Sequence, residues 1–170
     1  NIGGAELSLL DIIACAKDNG HSCYVVLPPV KEHDETFIKK LRPLCKKYFF
    51  VQPMPWHVVS NINKIKKIIN YLYNIYLSGW HILSVFRIFR IIKKHHIQIV
   101  HTNTIMSIDA ALAAKISGVK HVWHIREAIG YRVGAIVKFP FQNNKKFFKK
   151  IMNSLSSKVI VNSQYTFLHA

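Results

Sequence analysis

Three short stretches of this chain carry groups able to bind or move charge. "VWHIRE" (Val122–Glu127) ends in His124, Arg126 and Glu127, and "IVHTNT" (Ile99–Thr104) holds His101, Thr102 and Asn103. In both, polar residues begin where an apolar, strand-like run gives out. His124 and Arg126 are two apart and share one face of an extended segment. A histidine with a carboxylate or guanidinium beside it titrates near neutral pH and suits proton transfer or phosphate contact. The same residues read equally well as a core histidine bonded to backbone, with Glu127 pairing Arg126.

The third stretch is "GGAE" at Gly3–Glu6, directly before a helix-like run. Bare glycine backbone lets N–H groups approach a diphosphate, and a helix N-terminus adds partial positive charge there. Glu6 suits the first turn of that helix. The pair is neither a full GxGxxG nor a P-loop, so a dehydrogenase or NTPase gains little support. Its other reading is a flexible chain end. The strand that feeds such a turn is expected upstream of Asn1.

Metal chemistry is not expected. His121 and His124 are three apart on a predicted strand, which points them to opposite faces. His95 and His96 follow a lysine pair, with no cysteine or aspartate cluster to complete a ligand set. The three cysteines, Cys15, Cys23 and Cys45, include no CxxC pair. They indicate neither a zinc site nor a disulfide framework, and a reducing compartment fits them. No signal-peptide pattern is present.

The elements that must position these residues alternate. Apolar spacing at Leu9, Ile12, Ile13 and Ala16 predicts a helix over Ala5–Lys17, capped by Asn19-Gly20. "SCYVVLPP" predicts a buried strand stopped by prolines, a helix follows over Glu35–Lys46, and "KYFFVQP" is a second strand. Ser60–His95 reads as a long helical stretch broken near Ser78-Gly79. "IQIVHTN" is a strand, Ser107–Ser117 an alanine-rich helix stopped by Gly118, and "KHVWHIRE" again a strand. Gly134–Leu155 reads as basic and helical, interrupted at Phe139-Pro140-Phe141, before the strand "SKVIVNS". Such alternation specifies an α/β fold, a parallel sheet with helices on both faces. Ligands of these sheets bind beyond the carboxyl ends of the strands, where the polar clusters fall.

The 170 residues carry a net charge of +16 with half the residues hydrophobic, so the chain folds and its partner is anionic. Nucleic acid, acidic lipid and phosphorylated small molecules all qualify. The basic residues gather at Lys64–Lys67, Arg87–Lys94 and Lys138–Lys150. Between the first two groups, Ile68–Phe86 has no formal charge and is just long enough to span a bilayer. Asn70, Asn74, Ser78, His81 and Ser84 within it, and its place between sheet elements, argue against spanning. One or two amphipathic helices with interfacial tyrosine and tryptophan fit better, their basic ends contacting anionic lipid. A helix packed on the sheet with a solvated basic side fits equally. "NNKKFFKKIM" repeats the theme. Its aromatics follow helical spacing, which disfavours single-stranded nucleic acid.

"GGAE" opening a helix, Gly20-His21 leading into a strand, "IVHTNT", "HVWHIRE" and "SKVIVNSQYT" occur in an order and spacing that resemble the N-terminal, acceptor-side domain of retaining GT-B glycosyltransferases of family 4. The resemblance covers nearly the whole chain. It implies one Rossmann-like half of a two-domain enzyme. The loop matching Gly3 and Gly4 would lie near the donor diphosphate and the acceptor, and His124 close to the transferred sugar. Glu127 fits an H-x-R-E version of its segment. Asn103, Arg126 and Glu127 would hydrogen-bond in the acceptor cleft.

The resemblance also implies a nucleotide-diphospho-sugar donor, a glycan or lipid-linked acceptor, no metal or other cofactor, no nucleic acid, and a peripheral place on the inner, cytoplasmic face of an anionic membrane. Residues 1–170 then form this domain without its first strand and without the C-terminal nucleotide-sugar domain, whose paired glutamates (E-x7-E) have no counterpart here. Alone, the segment would be inactive. The competing expectation is a non-catalytic basic module that binds membrane surfaces on a Rossmann-like scaffold.

Overall fold

In the computed structural model, residues 3–29, 35–53, 58–59, 66–126, 137–138 and 145–164 are described. They fall into two compact units, Asn1–Gln52 and Pro53–Ala170.

The first unit begins with α1 (Gly4–Asp18). Glu6 reaches back so that its carboxylate accepts from the Gly3 N–H at 2.8 Å, satisfying one of the donors left over at a helix start. At the other end His21 N–H bonds Ala16 O and Gly20 N–H bonds Lys17 O, with Gly20 at φ 79. This 6→1, 5→2 pair is a Schellman cap, and only glycine takes that left-handed position without strain. The chain then enters β1 (Tyr24–Leu27), α2 (Glu35–Leu41) and β2 (Lys47–Phe50). β1 and β2 pair in parallel, Tyr24 opposite Lys47 through Leu27 opposite Phe50. Leu10 and Ile13 of α1, Val25 and Leu27 of β1, and Phe37 and Leu41 of α2 form the core.

The second unit holds β3 (Val58–Val59), α3 (Lys66–Lys94), β4 (Ile99–Thr102), α4 (Asp109–Ser117), β5 (Lys120–Ile125), β6 (Val137–Lys138), α5 (Lys145–Leu155) and β7 (Lys158–Val161). Its main sheet is parallel in the order β4-β5-β7. The parallel crossovers through α4 and α5 bury one face. Trp123 and Ile125 of β5 pack there with Ile105, Ala111 of α4 and Met152 of α5. Gly118 at φ 73 ends α4 as expected.

The described strands form the parallel pair β1-β2 in the first unit, and in the second the parallel sheet β4-β5-β7 and the antiparallel pair β3-β6. Two expectations are corrected. α3 runs unbroken through Ser78-Gly79. One glycine costs a helix only about 1 kcal/mol, and the packing of α3 along α4 outweighs it. In addition, Val137–Lys138 is extended and pairs antiparallel with β3, and the helix described in this region spans Lys145–Leu155.

Candidate functional site

β4 and β5 run side by side with His101 opposite Val122, so His101, Val122 and His124 lie on one face of the sheet. The His101 and His124 rings meet there, centroids 5.6 Å apart and tilted by 58°. Removal from water, and after it the charge of His124, holds the His101 imidazole below its ordinary pKa. Two imidazoles so close disfavour double protonation.

The opposite face treats its histidine differently. His121 is fully buried beside Trp123, rings 5.5 Å apart and edge-on. Its Nε2 lies 2.9 Å from Thr102 Oγ1 and its Nδ1 3.0 Å from Ser156 Oγ. Burial, then the charge of His101, push its pKa down to about 4, against a backbone hydrogen bond at Leu155 that raises it. His121 is therefore a neutral, hydrogen-bonded core residue, and Thr102 belongs to the core with it.

Trp123 also shapes the turn that leaves β4. Its Nε1 donates to Thr104 O at 2.7 Å, and Thr104 Oγ1 accepts from the Met106 N–H at 3.1 Å. Asn103, half-buried, is held between this fixed turn and the end of β4. Arg126 follows β5 directly and is also half-buried, its Nη1 shielded from solvent. Glu127 lies outside the described residues. Behind the cluster, α4 is anchored to α3 at both ends. His81 Nδ1 contacts the fully buried Asp109 carboxylate at 2.5 Å, and Lys93 Nζ donates to Ser117 O at 3.0 Å.

Of the six residues singled out from sequence, His124, Asn103 and Arg126 thus gather at the carboxyl ends of two adjacent strands. Gly3 and Gly4 belong to the first unit. Gly3 is extended (φ −76, ψ 160), and a Cβ there would meet only Glu6 Oε2 at 3.7 Å. A Cβ on Gly4 would meet nothing within 4 Å. The fold of this unit gives no reason for glycine at either position. His101, noted in "IVHTNT" but not among those six, joins them through strand alternation, which puts residues 101 and 103 on one face.

A cavity of about 410 Å³ lined by Lys115, Lys120, His121 and Ser154–Ser157 opens at the amino end of β5, away from His124. Parallel sheets bind ligands at the other end, so it is set aside.

The family model described as Glycosyltransferase Family 4 matches residues 2–167. Among curated proteins and among solved structures, nothing matches the chain.

Proposed function

The chain belongs to glycosyltransferase family 4, and from that membership we propose that it is the acceptor-binding half of a retaining GT-B enzyme. The donor is a nucleotide-diphospho-sugar, the acceptor a glycan or lipid-linked hydroxyl, and the setting polysaccharide biosynthesis. A further domain with paired glutamates holds the nucleotide, and this half alone is inactive. The observation that carries the reading is the position of His124, at the carboxyl end of the parallel strands between His101 and Arg126.

In a retaining transfer the acceptor hydroxyl attacks the anomeric carbon on the face from which the diphosphate departs. The protein's task is to align the two and to stabilise the charge that grows on the leaving group. His124 hydrogen-bonds the transferred sugar. The Gly3 and Gly4 backbone, free of side chains that would keep a ligand at a distance, approaches the diphosphate. Asn103, Arg126 and Glu127 orient the acceptor. The scheme needs no metal, because backbone N–H groups and cationic side chains carry the compensation. The +16 charge suits a peripheral place on the inner face of an anionic membrane.

The test is His124→Ala in the intact enzyme, with folding checked by circular dichroism. A fall in kcat/KM of about 100-fold is expected for loss of one transition-state hydrogen bond. An unchanged value removes His124 from the reaction.

A further inference from the structure

His124 sits near the carboxyl end of β5, the middle strand of the β4-β5-β7 sheet, and is half-buried. On the β7 side Ile160 stands directly opposite it. On the β4 side His101 stands opposite Val122, one pair back along the same face. The two histidines are therefore diagonal neighbours, and such neighbours are about 7–8 Å apart at the backbone. Their ring centroids are 5.6 Å apart, so the side chains lean toward each other. A tilt of 58° at this separation is the geometry of a packed aromatic pair.

A histidine needs such a neighbour if one of its nitrogens is to be aimed. Its ring turns about a broad, roughly two-fold torsion, and a half-turn exchanges each nitrogen with a carbon. The strand backbone does not choose between these arrangements; a ring packed against one side does. His101 also adds no charge at neutral pH. Removal from water, and after it the charge of His124, keeps its imidazole below the ordinary histidine value. Lysine or arginine in its place would set a permanent cation against His124, and a carboxylate would hold a proton on it.

We propose that His101 is a positioning residue for the sugar transfer: packed against His124, it holds that ring in the one arrangement that offers a nitrogen to the transferred sugar. The proposal rests on the reading of His124 as the sugar contact and adds what fixes it. The size of the effect is bounded on both sides. A His124 ring shared equally between its two half-turns is competent half the time, which costs a factor of about two. Losing its hydrogen bond altogether costs about 100-fold. Freeing the tilt as well as the flip falls between these, because a displacement of about 1 Å already forfeits much of an aligned contact.

The experiment follows sugar transfer by the intact enzyme as release of nucleoside diphosphate from its nucleotide-diphospho-sugar donor. The unaltered enzyme is compared with His101→Ala and His101→Gln, which remove the ring, and with His101→Phe, which keeps a ring but no nitrogen. His124→Ala and the double variant His101→Ala/His124→Ala complete the set, and thermal unfolding checks that each variant folds. Loss of the ring should lower kcat about tenfold and leave both KM values unchanged, since the ground-state contacts remain. His101→Phe should retain most of the activity. In the His124→Ala background, His101→Ala should cost nothing further, because a positioning residue acts only through the group it positions. These three results together support the assignment. Additive losses in the double variant, a raised KM with kcat unchanged, or a phenylalanine variant as slow as alanine overturn it. Full activity in His101→Ala or His101→Gln also overturns it, and leaves the reading of His124 standing. If His124→Ala itself leaves kcat/KM unchanged, the sugar contact falls and the positioning role falls with it.

Discussion

His121 Nε2 and Thr102 Oγ1 stand 2.9 Å apart on the buried face of the sheet, tying β5 to β4 through side chains as well as backbone. Ser156 Oγ lies 3.0 Å from the ring's other nitrogen, and burial, not these hydroxyl partners, keeps the ring neutral. The sheet that carries His124 on one face therefore depends on an uncharged histidine on the other.

That dependence sets an acid limit on stability. His121 titrates near 4 when folded and at the ordinary histidine value, about 6.5, when unfolded. Above pH 6.5 neither state binds the proton and the contribution is complete. As pH falls from 6.5 to 4 the unfolded chain takes up the proton first. Stability then drops by up to about 1.4 kcal/mol per pH unit, on the order of 3 kcal/mol in all. His101, also held low, adds loss of the same sign. Urea midpoints measured from pH 7 to 4.5 should fall steadily. His121→Leu should be less stable at pH 7, since Thr102 and Ser156 lose their partner, and should show a flatter acid slope. An undiminished slope would separate the acid loss from His121.

On the site face, His101 and His124 share one electrostatic environment. Burial is the larger cause of the low His101 value and the His124 charge the smaller. Replacing His124 with glutamine should therefore raise the His101 midpoint, yet leave it below the ordinary histidine value. NMR titration of the ring protons reads this directly. A His101 midpoint unmoved by His124→Gln would mean that the rings do not face each other in solution.

α3 and α4 meet at His81 and Asp109. The Asp109 carboxylate is completely buried in the first turn of α4, where the helix N-terminus favours a negative charge but water cannot solvate it. His81→Ala removes a partner and leaves that carboxylate under-compensated. A loss of about 2–3 kcal/mol is expected from denaturant unfolding. Adding Asp109→Asn should recover part of it, because the uncompensated charge goes. A double variant at least as unstable as the sum of the singles would sink the pairing.

How far the sequence could be read follows from which forces are local. β1 was visible in "YVVL" because two prolines end it, and the α4 stop was visible because Gly118 alone tolerates its φ of 73. The site cluster was visible in part, since polar residues interrupted apolar strands at Asn103, His124 and Arg126. The rest depends on partners distant in sequence. Ser78-Gly79 looks like a break, yet helix or turn there is decided by what α3 packs against. His81 and Asp109 are 28 residues apart with no spacing rule to link them. His101 and His124 face each other only once β4–β5 register is known. Strand periodicity proposes the faces; it does not state which strands are neighbours, and the antiparallel pairing of β3 with β6 was hidden for that reason.

A glycine kept for the fold and one kept for a ligand respond differently to alanine. Gly4 is the first residue of α1, and a Cβ there would project into open space. Alanine is the better helix former, so Gly4→Ala should leave stability unchanged or raise it, by at most about 1 kcal/mol. If the backbone of this turn approaches the donor diphosphate, the new methyl group occupies the ligand's side of the turn. The N–H groups are then held off by more than a hydrogen bond tolerates. Thermal unfolding and kcat/KM of the intact enzyme should therefore move apart: an equal or higher midpoint, with activity reduced about tenfold or more. Full activity in Gly4→Ala would leave the glycine pair as a helix entry with no part in binding, and the diphosphate contact would have to be sought elsewhere.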